Sequence, residues 1–281
     1  MTVVLAGVGG DQENIGTNPP LYDDGTFEFI PIPEKKRQTD EDLTFGSWEL
    51  RYPEKADAST AAEYIARRGY LNPDPEDHNG IQKLRAENEI ADWPVHNDPN
   101  LTDLTYGEHR GSVDTRKKYV RYLSSLEAGD VVAFYSGLST DQYPGIPRFL
   151  IGYMTVESAV STESKSSDEV TSLLDRHPQN AHKKRAVDGQ LYYEINGADD
   201  KSVVFVDGKE PGGLFDRDPI RITERKQPNK RANEYITEES FFHRFGSLDR
   251  NDEVYTARKP AVRLDISGGE FREAVGVSGE R

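Results

Sequence analysis

The runs GDVVAFYSGL at 129–138 and FLIGYMTV at 149–156 constrain the fold more than any other part of the chain. In the first, Val131, Ala133 and Tyr135 alternate with Val132 and Phe134; in the second, Phe149, Ile151 and Tyr153 alternate with Leu150, Gly152 and Met154. Each alternation is apolar on both sides. A strand with no polar face has to be covered from above and below, so both segments are expected to be central, buried strands. The polar stretch between them carries proline and glycine and reads as their connection. Gly152 would let a second backbone or a flat ligand approach closely, and Tyr135 nearby could stack on such a ligand. A plain buried hairpin would use the same residues.

Other segments supply flanking elements. The opening TVVLAGVGG reads as a strand running into a glycine-rich turn. A dinucleotide fold would start a helix at the last glycine, whereas QENIGTNPP follows and Pro19 and Pro20 stop any helix there. A tight turn at Asp24 and Gly25 is expected within LYDDGTFEFIPI. Helices are expected over 57–68, with Ser59 or Thr60 as cap and Gly69 as stop, over 80–92, in RKKYVRYLSSL, in SDEVTSLLDRH and near 237–245. Strand-like pieces lie at 202–207 and 218–223, and 159–168 reads as a solvated loop. Proline-rich loops at 71–79 and 94–100 are where a site would sit. Residues 266–281, rich in Gly and charge, are expected to be a disordered tail. The expectation is an α+β chain with a twisted central sheet, or alternatively a β-barrel, and flanking helices. It is read as one domain over residues 1–265, with a sub-boundary near 112 as the alternative.

Composition sets limits on partners. Among 281 residues, 50 Asp and Glu stand against 35 Lys and Arg, a net charge of -15, and Arg (21) outnumbers Lys (14). This acidic, lysine-poor balance resembles the proteins of extreme halophiles; an ordinary acidic cytosolic protein is the alternative. In multimolar salt the Debye length falls to about 3 Å, so repulsion from phosphate is nearly gone, and so is the help from counterion release. The charge therefore neither supports nor excludes DNA. With no Cys, disulfides, thiolate catalysis and Cys-ligated zinc are excluded. The opening MTVVLAGVGGDQ has no basic, apolar leader pattern, and no run approaches the ~18 apolar residues of a membrane helix. A cytoplasmic location with no membrane partner is expected. The familiar phosphate-loop, nucleophile-elbow, zinc-helix and deaminase patterns are missing from the sequence.

Three polar groups are candidates for chemistry. In VHNDP, His96 and Asp98 lie two apart between Pro94 and Pro99, and DLTYGE adds Tyr106 and Glu108. A histidine beside carboxylates can act as general acid and base or share a metal, or it can merely cap a turn. In NAHKKR, Asn180 could read an adenine edge while His182 and Arg185 face the nucleotide. Lys183, Lys184 and Arg185 could equally complement the end of a helix. Asp11, Asn14 and Asn18 could receive a phosphate or a sugar hydroxyl, or simply form turns. The basic run RITERKQPNKR could contact a nucleic-acid backbone or be solvated. No His and carboxylate spacing is diagnostic of a metal, and no cofactor follows from the sequence.

The hairpin GDVVAFYSG with FLIGYMTV resembles the core hairpin of PUA-like and EVE-type domains, which implies a small β-barrel that takes a flipped or modified base beside it. Across roughly residues 3–250, GVGGDQENIGTNPPLYDDGTFEFIPIPE, TFGSWE, HNDPNLTDLTYGE, LEAGDVVAFYSGL, FLIGYMTV, NAHKKR and GLFDRDPI follow one another. In this order they resemble the family called nucleotide modification associated domain 3. The resemblance implies membership of systems that alter bases in DNA, often in viruses and mobile elements. DNA or a nucleotide, and other modification or defence proteins, would then be the partners. On this reading His96, Asp98 and His182 are the catalytic set. Asp11, Asn18, Tyr106, Tyr135, Gly152, Asn180 and Arg185 then bind the nucleotide. A non-catalytic reader of a modified base that recruits a restriction or defence partner, and a structural subunit of a viral or mobile-element complex, are the alternatives.

Overall fold

The computed structural model describes residues 2–35, 39–73, 83–109, 114–185, 203–225, 234–246, 255–256 and 262–276. Its centre is an open, twisted sheet of seven strands. In spatial order these are β12 (Val262–Leu264), β1 (Val3–Gly7), β5 (Val131–Gly137), β6 (Arg148–Ser161), β7 (Val203–Leu214) and β4 (Thr105–His109), with β8 (Ile220–Arg221) joined to β6. Only β1 and β5 are parallel; the other pairs are antiparallel. The doubly apolar segments β5 and β6 sit in the middle, where both faces are covered. The expected barrel alternative does not form. The strand path ends at β12 on one side and β4 on the other, so the hairpin of β5 and β6 is built into an open sheet.

Pairing between β5 and β6 changes one detail of the expected faces. Phe134 pairs with Gly152 and Tyr135 with Leu150, so Ile151 is an extra residue bulged out of the ladder. The bulge resets the alternation: Tyr153 joins Leu150 on one face, and Met154 joins Phe149 and Ile151 on the other. A bulge leaves no period in the sequence, which is why simple alternation placed Tyr153 wrongly.

Each face carries its own core. Val4, Ala6, Val132, Phe134, Phe149 and Ile151 pack against Val120 and Leu123 of α4 (Asp114–Ser124) and against Phe27 and Phe29. On the opposite face Val3, Leu5, Ala133, Leu150 and Tyr153 pack against Phe241 and Phe245 of α7 (Glu239–Phe245) and Phe271 of α8 (Gly268–Ala274). The segment expected to be a disordered tail thus supplies a core helix. Ser267 and Glu270 form a reciprocal capping box at its start, and Phe271 is fully buried. The gain from one buried phenyl ring and two satisfied backbone amides outweighs what the Gly-rich composition indicated.

A third core lies beside the sheet and gathers Ile15, Ile30, Phe45, Ile65, Ile90, Trp93 and Val95. It is built by α1 (Pro53–Ala56), α2 (Ala61–Arg68), α3 (Glu87–Ala91) and a short ribbon of β2 (Ile32–Pro33) with β3 (Val95–His96). Helix α2 starts at the Thr60 cap and stops at Gly69. The helix expected over 80–92 is shorter: 80–82 lie outside the described residues, and the backbone of Leu84 exchanges hydrogen bonds with Leu71 before α3 begins. Strand pairing there wins over helical spacing. The sub-boundary near 112 and most of RKQPNKR also lie outside the described residues; β9 (Thr223–Arg225), β10 (Glu234–Thr237) and β11 (Tyr255–Thr256) form a small separate sheet. Among the described residues, no helix is long and apolar enough to cross a membrane.

Two strands run further than expected. β6 runs on to Ser161, and β7 extends to Leu214. Helix α5 (Ser167–Arg176), started by a Ser166 and Glu169 capping box, is tied to β7 where His177 Nδ1 meets Asp207 Oδ1 at 2.8 Å. Partial burial acts to raise the Asp207 carboxyl, but hydrogen bonds with His177 and Ser158 outweigh it and hold it below its usual range. Stability from this carboxylate is therefore present above the unfolded pKa of ~3.9 and is lost as pH falls through the lower folded value. Asp207→Asn is expected to cost less than ~1 kcal/mol, because the side chain is one-third exposed, with a deficit that shrinks below about pH 4. Denaturant melts at pH 7 and pH 3 check this; a deficit equal at both would contradict it.

Candidate functional site

Where the two-stranded ribbon, the edge strand β4 and a single helical turn meet, five polar side chains lie almost out of solvent. The antiparallel register pairs Ile32 with His96, which carries His96 beside Glu34, just past the end of β2. His96 Nδ1 stands 2.6 Å from Glu34 Oε1, and Arg185 Nε lies 2.9 and 2.7 Å from the two Glu34 oxygens. The turn after His96 is closed by the Asp98 amide donating to the His96 carbonyl at 2.8 Å. It returns the Asp98 carboxylate toward the imidazole. The Gly107 amide of β4 donates to Asp98 Oδ1 at 3.1 Å, so the second oxygen, Oδ2, is aimed at the histidines.

His182 arrives from α6 (Ala181–Lys184). Asn180 caps this turn: its side-chain oxygen accepts from the His182 amide at 2.9 Å, and its Nδ2 donates to Thr105 Oγ1 of β4 at 2.9 Å. Gly107 has to lack a side chain, because a Cβ there would overlap the His182 ring. His182 Nε2 then lies 3.3 Å from Asp98 Oδ2, and His96 Nε2 lies 3.8 Å from the same oxygen. The two imidazoles meet edge to face with centroids 5.0 Å apart. Side-chain exposure is 5% for His96, 7% for Asp98, 4% for His182, 4% for Glu34 and 7% for Arg185, so every charge here acts in a poorly screened environment.

Burial governs the protonation states. It pushes His96 down, with Arg185 adding to the effect, and it pushes His182 down to about 4 for the same two reasons. Burial also raises Asp98 to about 7, against the pull of His96 and the Gly107 amide. For Glu34, burial works upward, but Arg185 and His96 outweigh it and hold the carboxyl at about 2. Glu34 is thus an ionised acceptor, so the His96 Nδ1 carries a proton and Nε2 turns its lone pair toward Asp98. The result is two neutral imidazoles and one carboxyl group converging on a common point, with a fixed ion pair behind them.

The sequence candidates separate into two sets. His96, Asp98 and His182 lie together. Arg185 joins them through Glu34, and Asn180 through its bracket to Thr105. Both polar atoms of Asn180 are engaged inside the protein, so it does not present an edge to an adenine. Lys184 pairs with buried Glu41 at 3.0 Å, and Lys183 lies 3.7 Å from Asp40, so the basic cluster answers carboxylates of its own chain. Glu108 and His109, about one-fifth exposed, border the group, with the His109 ring 6.2 Å from that of His182.

Four nucleotide-binding candidates lie elsewhere. Tyr135 is buried in the core with its hydroxyl end against the backbone of Gly7, and Gly152 backs directly onto the Gly213 carbonyl. The space in which a base would have stacked is filled by the chain itself. Asp11 forms a side-chain turn with Glu13 and Asn14, and buried Asn18 ties its loop to Gly137, Tyr64 and Ser139. Tyr106 sits beside Gly107 on β4, but its hydroxyl goes to Tyr119 at 3.0 Å within the core. Glu34, Thr105 and Gly107 were not singled out from the sequence. The signal for Glu34 was a lone carboxylate in the otherwise apolar, proline-bound FIPIPE, next to a strand.

No curated protein and no solved structure matches this chain. The sequence model of the family described as nucleotide modification associated domain 3 matches residues 2–273, taking in all of the elements above except the last residue of α8. On a match across nearly the whole chain, the protein belongs to the nucleotide modification associated domain 3 family, which is associated with nucleotide modification systems.

Proposed function

We propose that this family member acts chemically on a nucleotide, and that His96, Asp98 and His182 form the centre where the reacting group meets the protein. The observation that carries the reading is their convergence: three side chains suited to proton transfer or ligation turn their tips to one point in a nearly solvent-free place. A part of the fold that needed only to be stable would gain as much or more from apolar residues there, since burying such groups costs free energy. Glu34 and Arg185 behind His96, and Asn180 behind His182, are positioning residues that hold the centre in one geometry. Glu108 and His109, the more exposed neighbours, mark the side from which a nucleotide would approach.

Calorimetric titration of the full chain with nucleoside monophosphates and short single-stranded DNA, at low and at multimolar salt, tests this. At least one probe is expected to bind. His182→Ala and Asp98→Ala, checked for folding by circular dichroism, should weaken it tenfold or more, and replacement of the exposed His243 should have no effect. Equal affinity for wild type and both site variants would show that the nucleotide binds elsewhere, and binding by none of the probes would leave the centre without the partner assigned to it.

A further inference from the structure

We infer that His96, Asp98 and His182 are the three protein ligands of a divalent transition-metal ion. The inference deepens the proposed centre and rests on it being the working site. One donor atom from each residue can be chosen so that all lie within 4.8 Å of one another. Donors held about 2.0–2.2 Å from an ion in tetrahedral or octahedral array stand roughly 3–3.5 Å apart. The His182 Nε2 to Asp98 Oδ2 separation of 3.3 Å already meets this, and the His96 Nε2 to Asp98 Oδ2 separation of 3.8 Å needs only a small closure.

Outer contacts favour ligation over a simple hydrogen-bonded triad. Metal-bound histidines commonly donate their other ring nitrogen to a carboxylate, which fixes the tautomer and aims the remaining lone pair at the ion. Glu34 stands in that relation to His96, and is itself anchored by Arg185. The Gly107 amide occupies Asp98 Oδ1 and leaves Oδ2 for the ion, while Asn180 holds the backbone from which His182 projects. Two imidazole nitrogens and one carboxylate oxygen suit zinc, iron, cobalt or nickel better than magnesium or calcium, which prefer oxygen. Three protein ligands leave coordination positions for water or a substrate atom. The sequence concealed this set because its members come from a ribbon strand, a turn and a helix more than 80 residues away, with no fixed spacing between them.

The test uses the full chain stripped with a chelator and titrated with Co(II), read by visible absorption and by metal analysis after gel filtration. One ion per chain and a d–d spectrum of nitrogen and oxygen ligation are expected. Asp98→Ala and His182→Ala should weaken binding at least 100-fold. Glu34→Gln, which keeps all three ligands, should weaken it by about 10- to 100-fold with unchanged stoichiometry. Binding that persists in both ligand variants, or a wild-type chain that takes up no stoichiometric ion, would overturn the metal site whether or not the variants fold. Nucleotide binding without metal would refute this inference alone; metal binding without nucleotide would refute the proposed function alone.

Discussion

Glu34→Ala is expected to destabilise the protein by about 3–5 kcal/mol, because it removes one member of a buried ion pair and strands charge in a poorly solvated place. The carboxylate is 4% exposed and carries both the Arg185 guanidinium and the His96 imidazole. Without it, the buried Arg185 loses this carboxylate and His96 loses the acceptor that sets its tautomer. Glu34→Gln keeps the shape and one acceptor oxygen, so it should cost less. Denaturant melts of the two variants beside the wild type measure the difference. A loss below about 1 kcal/mol for the alanine variant would mean that the pair does not hold the site together.

Phe271→Ala should cost a similar ~3–5 kcal/mol, the usual range for emptying a fully buried phenylalanine site. Its ring lies 5.7 Å from Tyr153 and 5.5 Å from Phe245, so the cavity would open against the second face of the sheet. Deleting residues 266–281 removes that ring together with the helix around it, and should leave the truncated chain aggregation-prone through the uncovered Leu150 and Tyr153 face. An unchanged melting temperature for the truncated chain would show that the helix contributes nothing to the fold.

The central hairpin was legible because burial on both faces leaves a mark on every residue: there is no polar position in Val131–Tyr135. Helices with caps, such as Thr60 before α2 and Ser166 before α5, were legible for a similar local reason. The bulge at Ile151 was not, since it depends on the partner strand. The twisted central sheet was legible, but the choice between it and a closed barrel was not, because closing or staying open is decided by long-range pairing at β12 and β4. Within the site, His96 and Asp98 stood out as a histidine and a carboxylate two apart between prolines, and His182 as part of NAHKKR. Tyr135 misled because an aromatic beside a glycine looks alike whether it receives a ligand or fills the space over its own backbone. Glu34 and Gly107 act only through a neighbour distant in sequence, and a single chain gives no sign of such a pairing.

The most direct test of the central claim is mass spectrometry of DNA nucleosides and the nucleotide pool from the native host. Three strains are compared: the wild type, one lacking this gene, and one carrying Asp98→Ala as a soluble, folded protein. The account predicts a nucleoside whose level changes on deletion and changes equally in the Asp98→Ala strain. A change on deletion that the variant fully restores would remove the buried centre from the chemistry, and identical profiles in all three strains would contradict a role in making or consuming a modified nucleotide.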